Sequence, residues 1–300
     1  GEPHAVSELS ALVAQPRDAL KKLAEDELVL LTEREVFRSP YDEMGEERST
    51  PPPLTDEQRE ALDVMIPKLE QGAGAFLLHG VTGSGKTEVY LAMAQRALEL
   101  GKGAIILVPE IALTPQMVLW FRRRFGPETA VLHSHLTDGE RYDEWRRIRF
   151  GSARVVIGAR SAVFAPVENL GLIVIDEEHE QTYLSDKHPR YDARRVAQSR
   201  CEREGATLVL SSATPSILSF AKAQRGDYTL VEMPTRVNNR PMPQVTIVDM
   251  RQELAAGNRS IFILLLRQKL KECVDKGQQA MLFLNRRGYN TFVSCRSCGY

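Results

Sequence analysis

Eight residues, Gly80-Val81-Thr82-Gly83-Ser84-Gly85-Lys86-Thr87, follow the pattern G-x-x-x-x-G-K-[ST]. Glycines at this spacing let successive backbone N–H groups turn inward around phosphate oxygens, and a helix starting behind them adds its positive end. Lys86 would then reach the β- and γ-phosphates, and the Thr87 hydroxyl would hold Mg²⁺. A second acid belongs at the end of another buried strand. Leu172-Ile173-Val174-Ile175 runs straight into Asp176-Glu177-Glu178-His179. Asp176 is placed to bind Mg²⁺ through water, and Glu177 can accept a proton from an attacking water. The bland alternatives are a chance glycine-rich turn and a solvated strand end. Eight matching positions with both flanks right, and four apolar residues leading into two carboxylates, argue against them. These residues predict a nucleoside triphosphatase site.

Such a loop needs a strand before it and a helix after it. Apolar runs at Ala75–His79, Ala104–Val108, Ala130–His133, Arg154–Ile157, Leu172–Ile175 and Thr207–Leu210 are separated mostly by helical stretches. Runs without polar alternation point to strands buried on both faces, hence to an α/β fold with a parallel sheet and flanking helices. Thr55 is expected to cap a helix reaching about Gln71, with Gln58 completing a capping box. A further alternation begins near Gln244, with a helix over Ile261–Lys276 and a strand at Ala280–Leu284.

Before Thr55 the pattern differs. Leu9, Leu12 and Val13 share a helical face, Pro16 opens a second helix carrying Ala19, Leu20 and Leu23, Leu28–Leu31 reads as a strand, and Glu33–Phe37 as a wing. This is a small winged-helix-like segment over residues 1–40. Residues 41–54, ending in Pro51-Pro52-Pro53, read as a proline-rich linker. Residues 55–235 are expected to form the nucleotide-binding lobe, followed by a further alternating stretch over 236–294 and a Cys-x-x-Cys within 295–300.

Among 300 residues, 39 Lys+Arg face 40 Asp+Glu, and the hydrophobic share of 43% excludes wholesale disorder. The first fifty residues hold six basic against twelve acidic side chains, which weakens any phosphate grip there; the remainder is modestly basic. No apolar run exceeds Ile261–Leu266, far below a membrane span, and no signal peptide is visible, so a cytoplasmic protein without membrane contact is expected.

Asp176-Glu177-Glu178-His179, with Ser212-Ala213-Thr214 after the next strand, resembles motifs II and III of superfamily-two helicases. Val108–Gln116 resembles motif Ia, Gly158–Ala162 motif Ib, and Phe283–Tyr289 motif IV. The wording Pro109-Glu110-Ile111-Ala112-Leu113-Thr114, Asn285-Arg286-Arg287-Gly288-Tyr289 and Cys295-x-x-Cys298 is most similar to the primosomal, replication-restart helicases. The resemblance spans about residues 55–300 and only loosely residues 5–40. It implies two RecA-like lobes, an ATP-driven 3′→5′ DNA helicase acting on forked or single-stranded DNA, and a zinc module inserted in the second lobe. It also implies primosome and helicase-loading partners and a single-stranded-DNA-binding protein. By motif position Gln58 would contact adenine, although capping explains it equally well. His179, Ser212, Ala213 and Thr214 would couple ATP to lobe movement; a buried, hydrogen-bonded His179 and a Thr214-Pro215 helix cap are the plainer readings.

The segment Tyr183–Arg203 interleaves Tyr183 and Tyr191 with Lys187, Arg190 and Arg194, which suits stacking on and tracking of single-stranded DNA. A solvated Arg-rich helix with core aromatics is the alternative. Arg122–Arg124 and Arg146-Arg147 read as exposed helix faces. Cys295 and Cys298 read as half of a zinc site, although a lone C-x-x-C can also be redox-active or structural; the resemblance implies zinc, with the further ligands beyond Tyr300. Cys201 and Cys273 look like ordinary buried residues. The chain is expected to be an internal piece of a longer protein. Rival readings are another superfamily-two DNA or RNA translocase, or a DNA-binding scaffold switched by ATP.

Overall fold

The computed structural model describes residues 9, 16–32, 38, 50–72, 74–237, 243–258, 260 and 262–283. The chain divides into two compact units, residues 1–240 and 241–300.

In the first unit, α1 (Pro16–Glu25) precedes α2 (Asp56–Gln71), β1 (Ala75–Gly80), α3 (Lys86–Glu99) and β2 (Gly103–Leu107). Then come α4 (Pro115–Phe125), β3 (Thr129–Leu132), α5 (Asp138–Arg149), β4 (Val155–Gly158) and β5 (Leu170–Ile175). The unit ends with α6 (Ala193–Glu204), β6 (Thr207–Ser212), α7 (Ile217–Arg225) and β7 (Thr229–Met233). The seven strands form one sheet in the order β3-β4-β2-β5-β6-β1-β7, parallel at every pairing.

Alternate strand residues fill two separate cores. Phe76, Leu78, Ile106, Val174 and Val209 pack against α2, α3 and α4 on one face. Leu77, Ile105, Ile173, Ile175 and Leu210 pack with residues of α5, α6 and α7 on the other. Burial on both faces is why the strand runs are continuously apolar. All strands point the same way, so the residues after β1, β2, β5 and β6 emerge along one carboxyl edge.

Six strands lie where the apolar runs predict them. β7 has no such signal: its burial alternates, with exposed Thr229 and Glu232 beside buried Val231 and Met233, because it is an edge strand. Two strand expectations are corrected. Residues 28–31 form a bend and irregular backbone, with Leu28 and Leu30 exposed, so no sheet partner covers them. Of the strand expected at Ala280–Leu284, residues 280–283 are irregular backbone and Leu284 lies outside the described residues; no strand among the described residues of the second unit is there to pair with them. That unit carries α8 (Met250–Ala255) and α9 (Leu264–Asp275), the latter inside the predicted Ile261–Lys276 helix.

Phe121 on α4 is fully buried and packs 6.1 Å from Phe125 between ring centroids. Phe121→Ala should lower the unfolding free energy by about 3–5 kcal/mol, read from the urea midpoint. A loss below about 1 kcal/mol would mean that α4 does not anchor this core.

Candidate active site

The glycine-rich loop leaves β1 at Gly80 and enters α3 at Lys86. Gly83 and Gly85 both hold left-handed backbone angles, φ +84° and +82°, which favour glycine. A Cβ at Gly85 would also collide with Gln58 Nε2. Val81 N–H donates to Met233 O at 3.1 Å, and Val237 N–H donates to Gly83 O at 2.9 Å. The edge strand missed in the sequence, through Met233, and the residue Val237 after it therefore hold the loop from one side. Thr82 lies at the exposed outer turn, whereas Ser84 is buried and its Oγ has no hydrogen-bond partner.

Gln58 closes the other side. Its Oε1 accepts from Thr55 N at 2.8 Å, its own N–H donates to Thr55 Oγ1 at 3.3 Å, and its Nε2 donates to Gly85 O at 3.1 Å. The capping role is realised in full, and the same side chain ties α2 to the loop. Beside it opens a cavity of about 510 Å³ lined by Pro52, Pro53, Gly85, Thr87, Leu91 and Trp120.

Lys86 Nζ donates to Gly80 O at 2.7 Å. Burial pulls its pKa down, opposed by the nearby Glu177 and Asp176 carboxylates. Asp176 leaves β5 with Oδ2 accepting from Tyr90 OH at 2.9 Å, while Tyr90 OH lies 3.1 Å from Thr87 Oγ1. Tyr90, one helical turn after Lys86, thus bridges the loop to the acid; burial raises its hydroxyl pKa well above ordinary. Asp176 Oδ1 is buried without a hydrogen-bond partner. An orphaned carboxylate oxygen beside a threonine hydroxyl fits a divalent cation, which takes oxygen ligands.

Glu177 adopts φ +45°, an uncommon angle for a side-chain-bearing residue. Burial raises its carboxyl pKa, helped by Asp176; Lys86, His179 and a backbone hydrogen bond from Ala213 oppose the rise. His179 Nδ1 lies 2.8 Å from Ser212 Oγ and 3.7 Å from Glu177 Oε2. Ser212 Oγ accepts from Thr214 N–H at 2.9 Å. The four residues singled out for coupling therefore surround Glu177 in one network. The cap of α7 is Ser216, two residues later than the sequence reading placed it at Thr214.

Glu178 went unnoticed in the sequence, as one acid in an acidic run. It is fully buried and accepts from Ser216 N–H at 2.6 Å, Ser216 Oγ at 3.2 Å and Ser219 Oγ at 2.9 Å. It fastens the start of α7 to the strand end carrying Asp176. The Ser216-x-x-Ser219 spacing was the available signal.

The DNA-contact candidates separate. Tyr183 is fully buried, its OH donating to Asp176 O at 2.6 Å and Leu107 O at 3.2 Å, so it cannot stack on a base; burial raises its hydroxyl pKa. Arg194 is held by Asp192 at 2.9 Å and Glu178 O at 2.9 Å. Lys187 and Arg190 are exposed on a short excursion closed by the Leu184–Asp192 bridge. Tyr191 is half-buried, 5.0 Å edge-on from Phe164 and 5.7 Å below the Arg160 guanidinium. Arg160 also donates to Leu184 O, beside a cleft of about 420 Å³ that includes Glu110 and Ser161. Arg124 and Arg147, expected on exposed faces, are largely buried and paired with Glu88 and Glu144.

Cys295 and Cys298 lie outside the described residues, as do Asn285–Tyr289. Among the described residues no three His, Cys, Asp or Glu side chains are grouped to hold a metal ion. Cys201 is buried, its thiol pKa pushed up to about 12, and Cys273 is half-buried. No helix among the described residues is long and apolar enough to cross a membrane.

Residues 55–222 match the DEAD/DEAH box helicase family. The chain is 51% identical to the replication restart protein PriA of Bacillus subtilis over 304 residues, covering 100% of this chain and 38% of that protein. It is 47% identical to PriA of Synechocystis over 300 residues, covering 98% and 36% respectively. The chain thus spans little more than a third of the curated relatives' length. Among solved structures, RecG bound to a three-way DNA junction is 26% identical, with a TM-score of 0.51 over 74% of this chain and 28% of that one. The parallel sheet with its two helical layers is a RecA-like helicase lobe.

Tyr90→Phe keeps the ring and removes the hydroxyl between Thr87 and Asp176. Stability should fall by about 1–3 kcal/mol, and the Mg²⁺ concentration for half-maximal ATP hydrolysis should rise in the full-length gene product. An unchanged Mg²⁺ curve would detach Tyr90 from cation binding at Thr87 and Asp176.

Proposed function

The chain belongs to the DEAD/DEAH box helicases, and we propose that it carries the ATP-hydrolysing lobe of a replication-restart DNA helicase. The observation that supports this best is the convergence of Lys86, Thr87, Asp176 and Glu177 on one strand edge, linked through Tyr90. In this reading the backbone N–H groups of Val81–Thr87 cradle the phosphates and Lys86 neutralises their charge. Thr87 and Asp176 hold Mg²⁺. When bound, the metal draws charge from the β- and γ-phosphates and lowers the cost of the transition state.

Glu177 takes the proton of the attacking water. Its raised pKa makes it a stronger base than an exposed carboxylate, and Lys86 opposes that rise. Ala213 N–H and His179 contact this base, so displacement of the Ser212–Thr214 turn would alter it. Gln58 contacts the adenine in the cavity beside Gly85. Lys187, Arg190 and Tyr191 meet single-stranded or forked DNA, and Arg194 relays their position to Glu178 O.

The similarity to PriA extends the reading. Residues 1–40 belong to a winged-helix-like domain, 41–54 to a linker, 55–235 to the first lobe and 236–294 to the second. Cys295 and Cys298 begin a zinc module. Translocation is 3′→5′ in the cytoplasm, and partners include primosome proteins, the replicative-helicase loader and a single-stranded-DNA-binding protein.

Glu177→Gln should retain ATP binding and reduce DNA-stimulated ATP hydrolysis by about 10²–10⁴-fold in the full-length gene product. Wild-type turnover should fall as pH drops through a value above the ordinary carboxylate range, because protonated Glu177 accepts no proton. Unchanged hydrolysis in the variant would remove Glu177 as base. Absence of stimulation by any DNA would remove the helicase reading while leaving the nucleotide site.

A further inference from the structure

The segment leaving β7 runs along the phosphate loop and is fastened at several points. Met233 O accepts from Val81 N–H at 3.1 Å, and Val237 N–H donates to Gly83 O at 2.9 Å. Between them Thr235 donates to the Glu57 carboxylate of α2, from N–H at 3.3 Å and from Oγ1 at 2.5 Å. Arg236 is therefore carried between two anchored neighbours. Its Cγ and Cδ lie 3.9 and 4.0 Å from where a Cβ on Gly83 would stand, so its stem crosses the middle of the loop.

The head of that side chain is unpaired. Arg236 Nε is buried without a hydrogen-bond partner, and among the described residues no carboxylate pairs with the guanidinium. Buried polar groups are nearly always paired, so an unmade bond here marks a missing acceptor. Arg236 lines a cavity of about 460 Å³ together with Ser84, whose Oγ is likewise buried without a partner. Net charge does not single out this cavity, since Asp56 and Glu57 balance Arg59 and Arg236 around it. Both acids are already engaged, Asp56 with Arg59 at 2.6 Å and Glu57 with Thr235. What remains is a pair of unsatisfied groups, both able to donate.

We infer that Arg236 is a nucleotide-contacting residue, whose guanidinium donates to phosphate oxygens of the nucleotide held by Gly80–Thr87. A guanidinium has donors only, and its planar fork matches phosphate oxygens in pairs. Position favours the phosphates over the base, because the stem crosses Gly83, inside the run of backbone N–H groups that would cradle them. Lys86 then approaches the phosphates from the start of α3 and Arg236 from the exit of β7. Arginines that serve the fold alone look different in this chain. Arg124 pairs with Glu88 at 3.2 Å and Arg147 with Glu144 at 2.6 Å, each with little exposure. The inference rests on the reading of Gly80–Thr87 as the ATP site and adds a residue to it.

The test uses the full-length gene product loaded with fluorescent methylanthraniloyl-ADP, displaced by ADP or by inorganic tripolyphosphate. Arg236→Ala should weaken both competitors alike, each by about 10- to 150-fold, the range of a hydrogen bond to a charged group. The thermal midpoint should stay at the wild-type value, since the guanidinium has no carboxylate partner in the resting chain to lose. Arg236→Lys, which keeps the charge without the fork, should bind with intermediate affinity. Wild-type tripolyphosphate affinity in Arg236→Ala would overturn the phosphate contact. A thermal midpoint that falls together with affinity would overturn it too, by making Arg236 a structural residue. If Lys86→Ala binds as tightly as the wild type, or the wild type does not bind the fluorescent nucleotide, the reading of the loop as the ATP site falls as well.

Discussion

A parallel sheet covered by helices on both faces has no polar side to offer water, and everything chemical here follows from that constraint. Side chains from β1, β2, β5 and β6 are mostly apolar on one core or the other, the polar ones falling near strand ends. Polar groups can appear only where strands stop. Because all seven strands run the same way, their carboxyl ends coincide. The phosphate loop after β1, Asp176 after β5 and the Ser212–Thr214 turn after β6 are brought together by sheet order, not by sequence proximity. β5, β6 and β1 are consecutive neighbours in that order, which places the acid, the turn and the loop side by side.

Crowding polar groups at a half-buried edge creates its own demand, since each buried donor or acceptor must be paired. Fully buried Glu178 is satisfied by three serine donors and thereby pins α7. Tyr183 donates to the Asp176 and Leu107 carbonyls, joining β5 to β2 beyond their last ladder contacts. Arg194 links Asp192 to the Glu178 carbonyl. Two of the buried groups left without a partner among the described residues are informative against this background. Asp176 Oδ1 and Ser84 Oγ both lie in the nucleotide site, where a ligand would complete them.

Local patterns were legible in the sequence and long-range pairings were not. The glycine loop, the acidic tetrad and the Thr55–Gln58 capping box are each contiguous, and their geometry is carried by a few adjacent residues. Tyr183 misled because a tyrosine among arginines satisfies a stacking pattern whether its ring faces DNA or the core. Only the fold reveals that its hydroxyl is needed between β2 and β5. Tyr90 was invisible for a related reason: its partner Asp176 is 86 residues away. β7 escaped because an edge strand needs only one sheet neighbour and is half apolar, so periodicity is weak at the strand that braces Val81. The strands expected at 28–31 and 280–284 show the converse, since among the described residues neither run has a neighbouring strand to pair with.

The electrostatics of the resting site also bear on how it could accept a nucleotide. Burial pushes Lys86 down and Glu177 up, so both are driven toward neutrality, and each opposes the other's shift. Lys86 nevertheless spends its short contact on the Gly80 carbonyl and not on a carboxylate. Moving its ammonium from a neutral carbonyl to a phosphate oxygen replaces an ordinary hydrogen bond with a stronger charge-assisted one. Had Lys86 been locked to Asp176, the same movement would have broken an ion pair in a poorly solvated site. Tyr90 makes the looser arrangement tenable, because its hydroxyl satisfies one oxygen of Asp176 without supplying charge. In the proposed reading the acid thus stays available to a cation, the lysine to phosphate, and Glu177 to water.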